Sequence, residues 1–308
     1  MELRHLRYFV SVAEELHFRK AAEKLHIVQP ALSKQISALE RELGVLLLER
    51  DRRTVTLTEA GRAFLQEALA VLAQADGAVA RARAVERGEV GRLSIGFIQP
   101  ALADLLPRSL RVFRRHYPDV VLSLGEATSR AAVEKIAART MHFAFTRLPV
   151  PDRPDLAACL STEVISEEPV ELVVPCAHPL ASRERVGLAD IARENVVLID
   201  RKVEPELHDY YVAACHGAGF SPRVAHEVNS TWIAIGLVAG GLGVGFAPRS
   251  ARRAAQRGVA YVPLDGGLRL TMGALWRSGP RPAVLDNFLR LRPWEKAPQE
   301  PSAVPRGA

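Results

Sequence analysis

Apolar residues recur at helical spacing through roughly the first 90 positions, and beyond them strand-like and helix-like pieces alternate. The opening pattern predicts three short helices over residues 4–16, 18–25 and 29–43. Only His26, Ile27 and Val28 separate the second from the third, which is helix-turn-helix spacing. On a helical wheel Leu32, Ile36 and Leu39 share one face, suited to pack on Ala21, Ala22 and Leu25. Pro30, Ser33, Lys34 and Ser37 fall on the opposite face, which suits an exposed helix entering a groove about 12 Å wide. Gln29, at the helix start, can present its amide to a base edge. A turn and the alternating Val55 and Leu57 then predict a β-wing whose Arg50, Arg52 and Arg53 reach phosphates or a minor groove.

Thr58, as N-cap, and Glu59, in the first turn, open a long helix that runs to about Arg87 and ends at Gly88 and Gly91. Leu65, Ala68, Leu72, Ala75, Val79 and Ala82 step along it by threes and fours, a seam of about two and a half heptads. Small alanines at half of these positions point to close approach of a second copy. The alternative, a helix lying on its own domain's core, would ask for a wider stripe.

Downstream, strands are expected at 92–98, 120–124, 143–147, 171–175, 196–200, 223–228, 244–246 and 268–276. Helices are expected at 104–116, 129–138, 204–217, 231–239 and 283–291. Such alternation argues a parallel or mixed sheet covered on both faces. The long connections predict two lobes, 91–163 plus 266–300 and 164–265. Residues 1–57, 58–89 and 90–308 therefore read as a winged helix-turn-helix, a dimerising linker helix and an effector domain. The proline-bearing tail from 298 to 308 reads as a frayed end.

Composition narrows the class. The 308 residues are 48% hydrophobic and 25% charged, which excludes long disorder and disulfide-dense mini-domains. Cys159, Cys176 and Cys215 show no metal or CxxC spacing, so no metal is expected and reduced cytoplasmic thiols are the default. A redox pair of Cys176 and Cys215 is the alternative. The start lacks the apolar core of a secretory signal, and the uncharged run from 228 to 248 reads as a buried helix, a glycine turn and a strand rather than a membrane span. The net charge of +6 permits an anionic partner without proving one. Residues 1–62 hold 11 cations and 9 anions, so local polarisation at Arg19–Lys20, Lys34 and Arg50–Arg53 argues for DNA where bulk charge does not.

Phe18, Ala21, Ala22, Leu25, Gln29, Pro30, Leu32, Ser33, Gln35, Ile36, Leu39, Glu40, Leu43, Gly44, Leu47, Arg50, Thr58 and Gly61 together resemble the LysR-type transcriptional regulators. The likeness spans the N-terminal 65 residues, and the later layout resembles the same family to its end. The opening looks most like the branch regulating aromatic-acid and catechol catabolism. The resemblance implies DNA contacts from Gln29, Pro30, Ala31, Ser33 and Lys34 on the recognition helix and from Arg50 and Arg53 on the wing. It implies a dimer built into a tetramer, RNA polymerase as a candidate partner, no cofactor, and a two-lobed domain like periplasmic binding proteins. Val28 and Leu48 depart from the family's frequent serine cap and phenylalanine.

Ligands of such sheets sit beyond the carboxyl ends of strands. Those ends lead to Gln99–Pro100, to Ser129, to Arg147, to Val203 and to Phe246. Helix starts at Gln99 and Ser129 with the Arg147 fork make a carboxylate receptor, and an aromatic or muconate-like acid is the expected effector. Family likeness sets Arg147 at the effector-binding arginine, Ser129 at its hydroxyl, and Pro100 where a serine is frequent. A surface ion pair for Arg147 and a plain cap for Ser129 are the alternatives. Residues 240–245 are glycine-rich but precede a strand without a following lysine, so no phosphate loop is expected. There is no GxSxG elbow and no HExxH, so the rival reading, a binding module or enzyme with an added helical domain, lacks a catalytic constellation.

Overall fold

The computed structural model describes residues 1–51, 54–254 and 256–295. The predicted wing cations Arg52 and Arg53 and the proline-bearing tail lie outside the described residues. Two compact units are present, Met1–Ala84 and a second from Val85 onward.

In the first unit, α1 (Leu3–Glu15), α2 (Phe18–Lys24) and α3 (Gln29–Leu43) pack about a core of Leu6, Phe9, Val12, Ala21, Leu32, Ile36 and Leu39. The His17 side chain accepts from the Lys20 amide to start α2, and Gly44, at φ 72°, closes α3 in a left-handed cap. Strands β1 (Leu48–Arg50) and β2 (Val55–Leu57) pair antiparallel as the expected wing. The Thr58 hydroxyl accepts from the Gly61 amide at 2.8 Å, the cap that opens α4 (Glu59–Glu86).

The α4 seam divides. Ala68 is buried, and Phe64, Leu65 and Leu72 pack on the helix-turn-helix core, with the Phe9 and Phe64 rings 5.2 Å apart. Further along, Val79 stays 50% exposed and Val85 52%. The first half of the expected self-association seam therefore serves its own domain, because Phe64 and Leu65 widen the stripe there.

The second unit begins inside α4's last turn rather than at residue 90. Gly88 (φ 66°) allows this: a Cβ there would sit 2.5 Å from the Ala283 carbonyl carbon. The Asn287 amide donates to the carbonyl oxygens of Arg87 and Gly88, tying that turn down.

Its elements follow in order: β3 (Gly91–Phe97), α5 (Leu105–His116), β4 (Val120–Glu126), α6 (Ser129–Ala137), β5 (Phe143–Leu148), α7 (Pro154–Ala157) and β6 (Leu160–Pro175). Then come β7 (Asn195–Ile199), α8 (Pro205–Gly217), β8 (Arg223–Val228), α9 (Thr231–Ala239), β9 (Val244–Pro248), β10 (Val259–Pro263), β11 (Arg269–Arg277) and α10 (Ala283–Leu291). Strand order is β4-β3-β5-β11-β6-β9-β7-β8, with β10 also on β6. Parallel strands sit at each end, and antiparallel β11 and β6 join them.

Strand β6 serves both lobes. Its residues up to Pro169 pair with β11, and from Val170 onward it pairs with β9 and β10. The lobes therefore exchange at Pro169–Val170, not at residue 164. Residues 160–170 hid their strand because Glu163, Glu167, Glu168 and Pro169 break the apolar run; β10 was likewise not foreseen. Leu93, Ile95, Phe113, Phe143, Phe145 and Phe288 fill the first lobe. The second carries Leu172, Leu198 and Tyr211 in one cluster and Val173, Val197 and Ile235 in another, as a sheet covered on both faces requires.

Candidate functional site

In the first unit, the third helix turns its leading residues to solvent. Gln29, Pro30, Ala31 and Lys34 are exposed, and Ser33 is half-buried. With Leu32 and Ile36 locked into the core, that face is rigidly presented. Arg50 is tied inward: its Nη1 donates to Ser33 Oγ at 3.3 Å and Ser37 Oγ at 3.5 Å, and its Nη2 to Glu40 Oε2 at 3.1 Å. The guanidinium also lies 4.7 Å from the centroid of the Phe18 ring. Arg50 thus braces the recognition helix against the wing as well as offering a cation at its edge.

Glu40 was given no role by sequence reasoning. Its other oxygen accepts from the Leu47 and Leu48 amides at 3.0 and 3.1 Å, so the carboxylate fixes where the wing begins. The signal was present: Glu40 falls one turn after Ile36, a charge on the apolar face, and such a charge needs partners.

In the second unit the expected receptor residues converge. Thr128, not Ser129, caps α6 through its hydroxyl, which accepts from the Ala131 amide at 3.2 Å. Ser129 takes the first helical position, where its N–H has no intrahelical acceptor. That N–H donates to Glu204 Oε1 at 3.1 Å, and Arg147 Nη1 donates to Glu204 Oε2 at 3.4 Å. The Glu204 carboxylate is buried between them. Arg147 is therefore not a surface pair, and a carboxylate of the chain itself fills the predicted anion receptor. The Ser129 hydroxyl, expected as a ligand donor, is buried without a hydrogen-bond partner among the described residues.

Gln99 bridges the lobes, donating to Glu126 at 2.8 Å and accepting from the Ser230 hydroxyl at 2.6 Å. A cavity of about 50 Å³ lies beside these groups, lined by Gln99, Pro100, Arg147, Val203 and Glu204. Phe246 lines a smaller neighbouring void with Arg147 and stacks on Tyr211 at 4.7 Å. Burial pushes the Tyr211 hydroxyl pKa upward, with the Arg147 charge acting against it. Small-molecule pockets span roughly 300–1,000 Å³, so the cleft is shut as it stands.

A larger cavity, about 760 Å³, lies elsewhere in this unit, among Glu163, Glu167, Glu168, Arg249, Arg253 and Trp294. Ion pairs occupy much of its rim, including Arg292–Glu163 and Arg253–Asp104. Nothing in the sequence pattern marked it, since a continuous stretch of its lining, Glu163 to Pro169, comes from the unforeseen part of β6. No grouping of three or more metal-ligating side chains occurs among the described residues, and no described helix is long and apolar enough to cross a membrane.

Comparison with known proteins agrees with both halves. Residues 3–62 match a family model described as a bacterial regulatory helix-turn-helix protein of the lysR family, and residues 86–291 match the LysR substrate binding domain. The chain is 40% identical over 265 residues to the Escherichia coli K12 regulator YnfL, covering 86% of this chain and 88% of that one. It is 36% identical over 296 residues to the Hca operon transcriptional activator HcaR of the same organism, covering 94% and 97%. A full-length CbnR structure in complex with its target DNA superposes with a TM-score of 0.81 at 31% identity, covering 96% of this chain and all of that one.

Proposed function

Because this chain belongs to the LysR family of bacterial helix-turn-helix transcriptional regulators, we propose that it answers to a small anionic effector, an aromatic or muconate-like carboxylate, held between its two lobes. It is a DNA-binding regulator rather than an enzyme, as its named relatives are. Gln29, Pro30, Ala31, Ser33 and Lys34 read the major groove of a promoter or operator, while Arg50 and Arg53 hold the flanking backbone. The exposed far half of α4 pairs two copies, and two such dimers make a tetramer in the cytoplasm beside RNA polymerase. Effector binding shifts the angle between the lobes and so the spacing of the paired DNA heads.

One observation carries the effector reading: the Arg147 guanidinium and the Ser129 N–H already converge on a single carboxylate. Both groups favour an anion, one by charge and one as the free donor of a helix start. Ile98, Pro100 and Val203 supply apolar contact, as an aromatic or unsaturated acid requires. Calorimetric titration of the full chain against a panel of aromatic and dicarboxylic acids tests it. One acid is expected to bind the parent protein, and Arg147→Met is expected to weaken it on the order of ten- to hundredfold, the loss of about 1.5–3 kcal/mol from a charge-assisted pair. Equal binding by Arg147→Met, or no acid bound at all, overturns the reading. Retardation of DNA from upstream of the chain's own gene tests the promoter assignment.

A further inference from the structure

We propose that Glu204 is an internal ligand of the anion receptor, so that an effector acts by exchanging its own carboxylate for that of Glu204. This rests on the effector reading above and assigns the site its resting occupant. The Glu204 carboxylate, on the second lobe just ahead of α8, crosses to the first lobe and takes both of the receptor's donors, the Ser129 N–H and the Arg147 guanidinium. It is 9% exposed, and Ser129 is 3% exposed. A buried carboxylate is tolerated only where it is paired and hydrogen-bonded, which is what these two donors provide. The next carboxylate along, Glu206 at the start of α8, pairs with Arg130 of α6 at 2.9 Å. Gln99 and Ser230 add a further bond between the lobes. The segment from 204 to 206 therefore clips the second lobe onto the start of α6 without any bound molecule.

Three consequences follow from that occupancy. A free acid must compete with a tethered one, whose local concentration is high, so the parent protein responds only to ligands with further contacts. A bare monocarboxylate such as acetate is too weak to displace it. Displacing Glu204 also frees the segment that leads into α8, so ligand exchange moves a helix start instead of merely filling a void. The Ser129 hydroxyl, buried beside the exchanged group and without a partner among the described residues, is a further donor for the incoming acid.

The test removes the internal acid and offers a free one to the full-length protein. Hydrogen exchange of the Ser129 amide, resolved by fragmentation mass spectrometry, is the readout, because among the described residues only Glu204 accepts from that N–H. In Glu204→Ala the amide should exchange at least about tenfold faster. Sodium acetate should slow it again, while acetamide, of the same shape but neutral, and sodium chloride at equal ionic strength should not. Adding Arg147→Met to Glu204→Ala should abolish the acetate effect, and the parent protein should ignore acetate throughout. Glu204→Gln is measured in parallel in case the alanine variant loses its fold. Its neutral amide is a poorer occupant, so acetate should protect Ser129 in it as well. Unchanged exchange in both variants, or acetamide acting as well as acetate, overturns the proposal. The two readings fail separately: an aromatic acid that binds the parent through Arg147 with no tightening in Glu204→Gln removes the internal ligand alone. Acetate protection of the variants without any acid bound by the parent removes only the effector reading.

Discussion

Glu40 and Arg50 form an ion pair at 3.1 Å in which the acid is 8% exposed at its side chain and the base 31%. The same acid receives the Leu47 and Leu48 amides, so one carboxylate joins the recognition helix, the wing's start and the wing's cation. Glu40→Ala orphans two buried N–H groups and leaves Arg50 without its carboxylate. We expect about 2–4 kcal/mol of lost stability in the first unit, read by denaturant unfolding, and weaker binding to every DNA sequence alike. A change in sequence preference without loss of stability would contradict the bracing role.

Gln29 is exposed at the start of α3, whereas Arg53, a wing cation in the sequence reading, lies outside the described residues. The two positions should separate by assay. Gln29→Ala should cost about 1–3 kcal/mol at one base position and relax choice there in a competition experiment. Arg53→Ala should weaken all sequences and reduce the slope of affinity against salt by about one.

Leu72 packs on its own domain's core, so a charge there would confuse folding with assembly. Val79, 50% exposed, gives the cleaner test of the seam. Val79→Glu should leave the unfolding midpoint of the first unit unchanged and lower the mass seen by light scattering at dilute protein, since a charge is costly only where a second copy buries it. An unchanged mass would place the self-association surface elsewhere.

Gly61 and Gly77 share α4 but should respond with opposite signs. A Cβ on Gly61 would sit 2.0 Å from the Leu47 carbonyl oxygen, so Gly61→Ala must push the helix off the wing, a loss of about 1–3 kcal/mol or more. Gly77 has open space, and Gly77→Ala should raise stability by roughly 0.5–1 kcal/mol through helix propensity. Thermal melts of the two variants decide this.

Cys215 is fully buried, and burial pushes its thiol pKa up to about 11, while Cys176 is exposed. At neutral pH iodoacetamide should therefore label Cys176 and spare Cys215 until the chain unfolds, read by peptide mass. The sign for stability follows from linkage. The folded pKa lies above an unfolded value of roughly 8.5, so the contribution is complete below that pH and is lost as pH rises towards about 11. Rapid labelling of Cys215 in the folded protein at neutral pH would reopen the redox alternative.

What the sequence determined by itself is local. The three-residue link before Gln29, the Thr58 cap, the wing strands and the helix and strand around the glycine run are set by spacing, capping and period, which neighbouring residues fix among themselves. The two donors of the proposed receptor were also legible, because strand ends and helix starts are local features. Its occupant was not. Glu204 lies 75 residues from Ser129 and 57 from Arg147, and only the closure of two lobes on a shared strand brings the three together. The same holds for β6, whose charged first half becomes a strand only because β11 returns beside it, and for α4, whose uniform seam is split by where the first domain's core ends. Periodicity names a face of an element; what covers that face is decided by contacts distant in sequence, and those belong to the tertiary structure.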